Sequence, residues 1–166
     1  MSLLLDTHIL LWWLTDNERL PAAMRKVIAE PDREVFVSAA SAWEMSIKSA
    51  LGKLDMPEGL REELDDEGIT ELAVTVEDGL AAGALPRHHD DPFDRMLIAQ
   101  AARRDLLLLT ADKRFSDYEV RLMYDLGICR RGVAGGSGWF VACLGLRAPV
   151  PSDAGTRRAS YASLIP

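Results

Sequence analysis

Ser2-Leu3-Leu4-Leu5-Asp6-Thr7-His8-Ile9-Leu10-Leu11-Trp12-Trp13-Leu14 runs from a wholly apolar stretch, through a single acid, into a second apolar stretch broken by turn-forming polar residues. Residues 2–5 read as a short strand buried on both faces, and residues 7–14 as a helix with Asp6 at its N-cap position. The same handover recurs. Residues 34–37, rich in β-branched and aromatic side chains, precede a helix over 38–51 that stops at Gly52. Residues 106–110 form a third apolar run, followed by Asp112 and a short helical turn over 112–115.

Between these units the spacing predicts further helices over 22–30, 57–67, 77–85 and 92–104, and strands over 70–76 and 120–123. The helix over 92–104 carries the strongest local signals. Asp91 can cap it, Pro92 suits its first turn, and Met96, Leu97, Ala99 and Ala101 supply apolar surface. Alternation of strand and helix predicts an α/β sheet of parallel strands, with right-handed crossovers and helices on both faces. A chain of 166 residues accommodates one such domain.

The composition is 48% hydrophobic and 27% charged, which is that of a globular protein. No run of about 18 apolar residues exists, so no membrane span is expected. No basic-then-apolar leader is evident, and Cys129 and Cys143 lack metal-type spacing. A reducing cytoplasmic setting fits this pattern. The formal charge of -7 is unevenly spread: residues 127–166 carry five arginines and one acid, leaving the preceding body at -11. Such a body argues against broad non-specific nucleic-acid binding, yet it suits an enzyme that takes phosphate through a bound cation. From residue 127 the Gly-, Pro- and Arg-rich composition reads as a disordered or loosely docked tail, so the body is expected to end at 126.

Asp6, Glu44, Asp94 and Asp112 lie at or near the points where strands hand over to helices. In an open parallel sheet those points share one edge, where ligands bind. Four carboxylates gathered there repel one another unless a cation is present, and a hard divalent ion with retained waters suits phosphate chemistry. Each acid also has an ordinary structural explanation. Asp6 and Asp112 suit N-caps worth about 1 kcal/mol each. Asp94 favours the dipole of its helix, and Glu44 stands four residues before Lys48. Thr7, Ser38 and Thr110 adjoin the acids and can orient carboxylates or simply cap helices. Arg95 and Lys113 can bind a phosphate or neutralise the acid beside them, and neutralisation is the reading favoured here. His88-His89 are consecutive in a loop, not four apart on a helix face, which argues against a transition-metal pair. Trp12 and Trp13 read as core or dimer surface. Gly135–Gly138 lacks the ending of a P-loop.

Four segments taken together resemble the PIN-domain ribonucleases, in particular the VapC-type toxins of type II toxin–antitoxin pairs. They are Leu3-Leu4-Leu5-Asp6-Thr7-His8, Ser41-Ala42-Trp43-Glu44, Asp91-Pro92-Phe93-Asp94-Arg95-Met96-Leu97-Ile98-Ala99-Gln100-Ala101, and Leu109-Thr110-Ala111-Asp112. The resemblance covers about residues 2–124. It implies a three-layer α/β/α sandwich and a Mg²⁺- or Mn²⁺-dependent endoribonuclease that hydrolyses RNA with a metal-activated water. The family's acidic site maps onto Asp6, Glu44, Asp94 and Asp112. A homodimer and a cognate antitoxin protein are implied as partners. The segment from Gly127 onward matches nothing in the family pattern and is expected to be dispensable.

Two other readings stand beside this one. A PIN-like module that binds RNA or protein without cutting would keep the fold and lack turnover. A haloacid-dehalogenase-like phosphatase would use Asp6 as nucleophile. That chemistry wants a second Asp two residues on, where this chain has His8.

Overall fold

The computed structural model describes residues 1–124 and the backbone of residues 127–129. Its strands are β1 (Leu3–Leu5), β2 (Val35–Ser38), β3 (Ile69–Leu72), β4 (Leu107–Leu109), β5 (Leu122–Tyr124) and β6 (Gly127–Cys129). The sheet order is β3-β2-β1-β4-β5-β6. The first five strands run parallel, and β6 closes the edge antiparallel to β5. Leu3, Leu4 and Leu5 pair with Val35, Phe36 and Val37 on one side and with Leu107, Leu108 and Leu109 on the other. The central strands are therefore flanked by apolar strands, as their unbroken apolar sequence requires.

Alternate residues of each strand point to opposite faces and so build two cores. Leu3, Leu5, Val35, Val37, Leu107 and Leu109 join Ile9 and Leu10 of helix α1 (Thr7–Leu14), Met24 of α2 (Ala22–Ile28), Met45 of α3 (Ala39–Ala50) and Leu60 of α4 (Leu60–Asp66). Leu4, Leu108 and Leu122 pack on the other face against Leu97, Ile98 and Ala101 of α6 (Pro92–Arg104) and against Phe115. Helix α5 (Val76–Ala84) lies against α6. The result is the expected α/β/α layering, and each fully buried leucine contributes about 1.5–3 kcal/mol relative to exposure.

Several boundaries differ from expectation for local reasons. The third strand starts at Ile69 and stops at Leu72, because Thr75 is committed to capping α5. Its hydroxyl accepts from the Asp78 amide at 3.2 Å while the Asp78 carboxylate accepts from the Thr75 amide at 3.0 Å. Helix α4 starts only after Gly59, whose φ of 75° is left-handed and ends the preceding turn. The helical turn after Asp112 is a 3₁₀ segment, Lys113–Asp117. The fifth strand is Leu122–Tyr124, displaced toward the C-terminus of the expected 120–123. Strand β6 carries the sheet past residue 126, where the body was expected to end. Gly135–Gly138 and the rest of the expected tail beyond 129 lie outside the described residues.

The sheet order places the topological switch between β1 and β4. Chain crossovers leave in opposite directions there, opening a crevice at the carboxyl ends of these two strands. Asp6 directly follows β1, and Asp112 follows β4 by three residues.

Candidate metal centre

The crevice is an open cleft of about 600 Å³ whose lining includes Asp6, Glu44, Asp91, Asp94 and Asp112. All four sequence-selected acids are brought to it from four different elements: the end of β1, the middle of α3, the first turn of α6, and the segment after β4. Local chemistry fixes each one. Asp6 occupies the N-cap position of α1, yet makes no side-chain capping hydrogen bond. Its carboxylate instead accepts from the Thr110 hydroxyl at 2.6 Å, a bond across the sheet between two residues 104 apart in sequence. Glu44 is likewise held by the Thr7 hydroxyl at 2.6 Å and by the Lys48 ammonium one helical turn on. Thr7 and Thr110 are both buried, so the two hydroxyls aim carboxylates where solvent does not compete. Asp112 does cap its 3₁₀ turn, through the Arg114 amide at 2.9 Å. Asp91 caps α6 through the Phe93 amide at 2.8 Å, which leaves Asp94 one turn in and facing the cleft.

The electrostatics distinguish the acids. Burial pushes the Asp6 carboxyl above its ordinary range, and nearby Glu44 adds to the effect. Asp94 is pushed up to about 7, first by burial and then by the charges of Asp6, Asp91, Glu44 and Asp112. Asp112 is held down at about 2, chiefly by its hydrogen bonds from Arg114. A carboxyl raised by burial and then by the charges of its neighbours marks a site short of positive charge, and an oxygen-rich site of that kind fits a divalent cation.

One further member of the cluster has no spacing signal in the sequence. His89 is buried, and its Nε2 lies 3.0 Å from Asp94 Oδ2 and 3.4 Å from Asp112 Oδ2. Together the three side chains present possible ligand atoms within 4.8 Å of one another. The backbone decides which role the imidazole takes. Its Nδ1 accepts from the Asp91 amide at 3.1 Å, so Nε2 carries the proton and faces the two carboxylates as a donor. His89 thus positions Asp94 and Asp112 rather than offering a lone pair. Helical spacing does not bring loop residues together; here the turn into α6 does. Its neighbour His88 stacks edge-on against Tyr118, away from this cluster.

Two cations fall elsewhere than their sequence neighbours suggested. The Arg95 guanidinium turns from Asp94 to the end of α5, donating to the carbonyls of Ala82, Leu85 and Pro86 at 2.8 Å each. It satisfies the carbonyls that a helix end leaves open and is not part of the cleft lining. Asp112 is neutralised by Arg114 at 2.6 Å and not by Lys113, although Lys113 does line the cleft.

Comparison with known proteins agrees with this architecture. A model of the PIN domain matches residues 3–120. Ribonuclease VapC22 of Mycobacterium tuberculosis is 30% identical over 125 residues, covering 70% of this chain and 92% of that protein. Among solved structures, VapBC2 of Rickettsia felis bound to a promoter DNA fragment superposes with a TM-score of 0.57 at 14% identity, covering 75% of this chain and 98% of that one. FitAcB of Neisseria gonorrhoeae gives 0.54 at 20% identity with the same coverages of 75% and 98%. A toxin–antitoxin complex of Klebsiella pneumoniae gives 0.50 at 21% identity, covering 69% and 91%. At these identities the structural likenesses speak for the fold. The extent of the domain match and the identity to VapC22 establish the family: the chain is a member of the PIN-domain family, homologous to VapC22.

Proposed function

We propose that this chain is a metal-dependent endoribonuclease, the toxin of a toxin–antitoxin pair. The observation that carries the reading is the convergence of Asp6, Glu44, Asp94 and Asp112 on one cleft at the switch point of a PIN fold. Homology to a protein named as a ribonuclease supports RNA as the substrate.

Asp6, Glu44, Asp94 and Asp112 would hold one or two Mg²⁺ or Mn²⁺ ions. A bound divalent ion supplies charge neutralisation for the phosphodiester and a more acidic water for in-line attack. The remaining residues orient this shell. Thr110 fixes Asp6, Thr7 fixes Glu44, and the His89 Nε2–H fixes Asp94 against Asp112. Arg114 keeps Asp112 ionised, so that one ligand is always charged at neutral pH. Lys48, at the rim, pairs with Glu44 and is placed to meet substrate phosphate once a cation has taken over that charge.

The antitoxin is proposed on the relatives crystallised with theirs. A second copy of this chain is proposed to cover the exposed apolar stripe of Trp43, Ile47 and Leu51 along α3, with Leu80 on α5. The test is cleavage of single-stranded RNA by purified protein in Mg²⁺. Cleavage should stop in EDTA and in Asp6→Asn and Asp94→Asn. Undiminished cleavage by either Asn variant would refute the site.

A further inference from the structure

Beside the acidic cleft lies a second cavity of about 310 Å³ with the opposite character. Its lining contains Arg19, Lys48 and Lys53 together with His8, Trp12 and Leu11, and no acid. This is notable in a body whose net charge is -11. The two cavities adjoin, for His8, Trp12 and Lys48 line both. Neither the Arg19 guanidinium nor the Lys53 ammonium forms an ion pair with an acid among the described residues, and of the cations so placed these two line this cavity. Lys48 bridges the two environments, bonding Glu44 on one side and facing the cationic pocket on the other. On the shared wall the His8 and Trp12 rings stand 6.4 Å apart at 58°, giving an aromatic surface at the boundary.

We propose that this pocket is the subsite for single-stranded RNA next to the cleaved bond. Arg19 and Lys53 hold the phosphate adjoining the scissile one, and Trp12 offers a stacking face to the intervening base. The inference rests on the ribonuclease reading of the acidic cleft and deepens it by fixing the path of the strand. The reason is electrostatic. An acidic body repels a polyanion, so a strand that reaches the carboxylates needs a local cationic track leading to them. Unpaired cations combined with an aromatic platform are what sequence-tolerant single-strand binding uses. Phosphate contacts of this kind set register and leave the chemistry to the cleft.

The test uses the full chain and a fluorescent single-stranded RNA. Binding is read by anisotropy in EDTA, where no cleavage occurs, and turnover is read separately in Mg²⁺. Arg19→Ala/Lys53→Ala should weaken binding about five- to tenfold at low salt. It should also flatten the dependence of log affinity on log salt by about 0.7, for one single-strand phosphate no longer neutralised. In turnover the loss should appear in KM with kcat retained. Arg19→Lys/Lys53→Arg should restore both readouts. Arg61→Ala/Arg87→Ala removes equal charge away from both cavities and should leave KM within about twofold. Melting temperatures of all variants check folding, which exposed positions should not disturb. Unchanged affinity and salt slope in the Arg19/Lys53 variant would overturn the proposal. Wild-type protein that binds RNA through this pocket but does not cleave it would refute the nuclease reading alone.

Discussion

Replacing Asp94 with Asn should stabilise the metal-free protein while destroying its activity. The Asp94 carboxyl titrates at about 7 in the fold against an ordinary 3.8, because it is buried among Asp6, Asp91, Glu44 and Asp112. The sign follows from linkage. Since the folded value is raised, stability present below pH 3.8 is progressively lost as pH rises through about 7 and stays lost above it. Full ionisation then costs about 4 kcal/mol at 1.36 kcal/mol per pH unit, which partial solvent access at the cleft mouth reduces toward about 2 kcal/mol. Asn keeps the shape and the acceptor for His89 but never ionises. In EDTA at pH 8, Asp94→Asn should melt roughly 10 °C above wild type, and the difference should vanish near pH 4. Saturating Mg²⁺ should raise the wild-type melting temperature far more than that of the variant. Differential scanning fluorimetry across pH, with and without metal, checks all three. A variant equal to or less stable than wild type at pH 8 in EDTA would refute the electrostatic reasoning, as would an offset independent of pH.

Further outcomes follow from the packing. Arg95→Ala should cost about 2–3 kcal/mol in urea unfolding, because three carbonyls at the end of α5 lose a charged donor, while cleavage per folded molecule is retained. Asp78 is buried and ion-paired to Arg103 and Arg104, and the hydrogen bond from Arg104, followed by those from Thr75, holds its carboxyl well below the usual range; Asp78→Ala should cost about 3 kcal/mol at neutral pH by equilibrium unfolding. Leu108→Ala, in the centre of the sheet, should cost about 3 kcal/mol by the same measurement. Leu80→Arg on α5 should shift sedimentation from dimer to monomer with little change in melting temperature.

The strand–helix junctions were legible because their signals are local. An apolar run ends, an acid or hydroxyl follows, and a helix begins; β1, β2 and β4 each announce themselves in this way. Parallel pairing then forces the junctions onto one edge, so Asp6, Glu44, Asp94 and Asp112 could be placed together without coordinates. What escaped depends on direction and not on position. Arg95 follows Asp94 by one residue, and one residue on a helix is a rotation of about 100°, enough to turn it from the cleft to α5. Lys113 and Arg114 differ by the same step, and the 3₁₀ turn gives Asp112 to Arg114. His89 joined the site through a loop whose path is set by the Asp91 cap and by the burial of its ring against Phe115, neither of which has a spacing rule. The Arg19–Lys53 pocket is assembled from α1, α3 and two loops far apart in sequence, so no window of sequence contains it. Strand β6 was hidden because Gly127 begins a stretch whose composition reads as linker, although only Asp125 and Leu126 separate it from β5.

The central claim is that these four carboxylates bind the divalent ion on which RNA cleavage depends. It is tested most directly by titrating metal-free protein with Mn²⁺, following ion binding by paramagnetic resonance and cleavage of single-stranded RNA in the same samples. The account predicts that the two curves half-saturate together and that Asp6→Asn displaces both to higher metal concentration. Cleavage that proceeds before the ion binds, or that survives in Asp6→Asn with binding abolished, would contradict it.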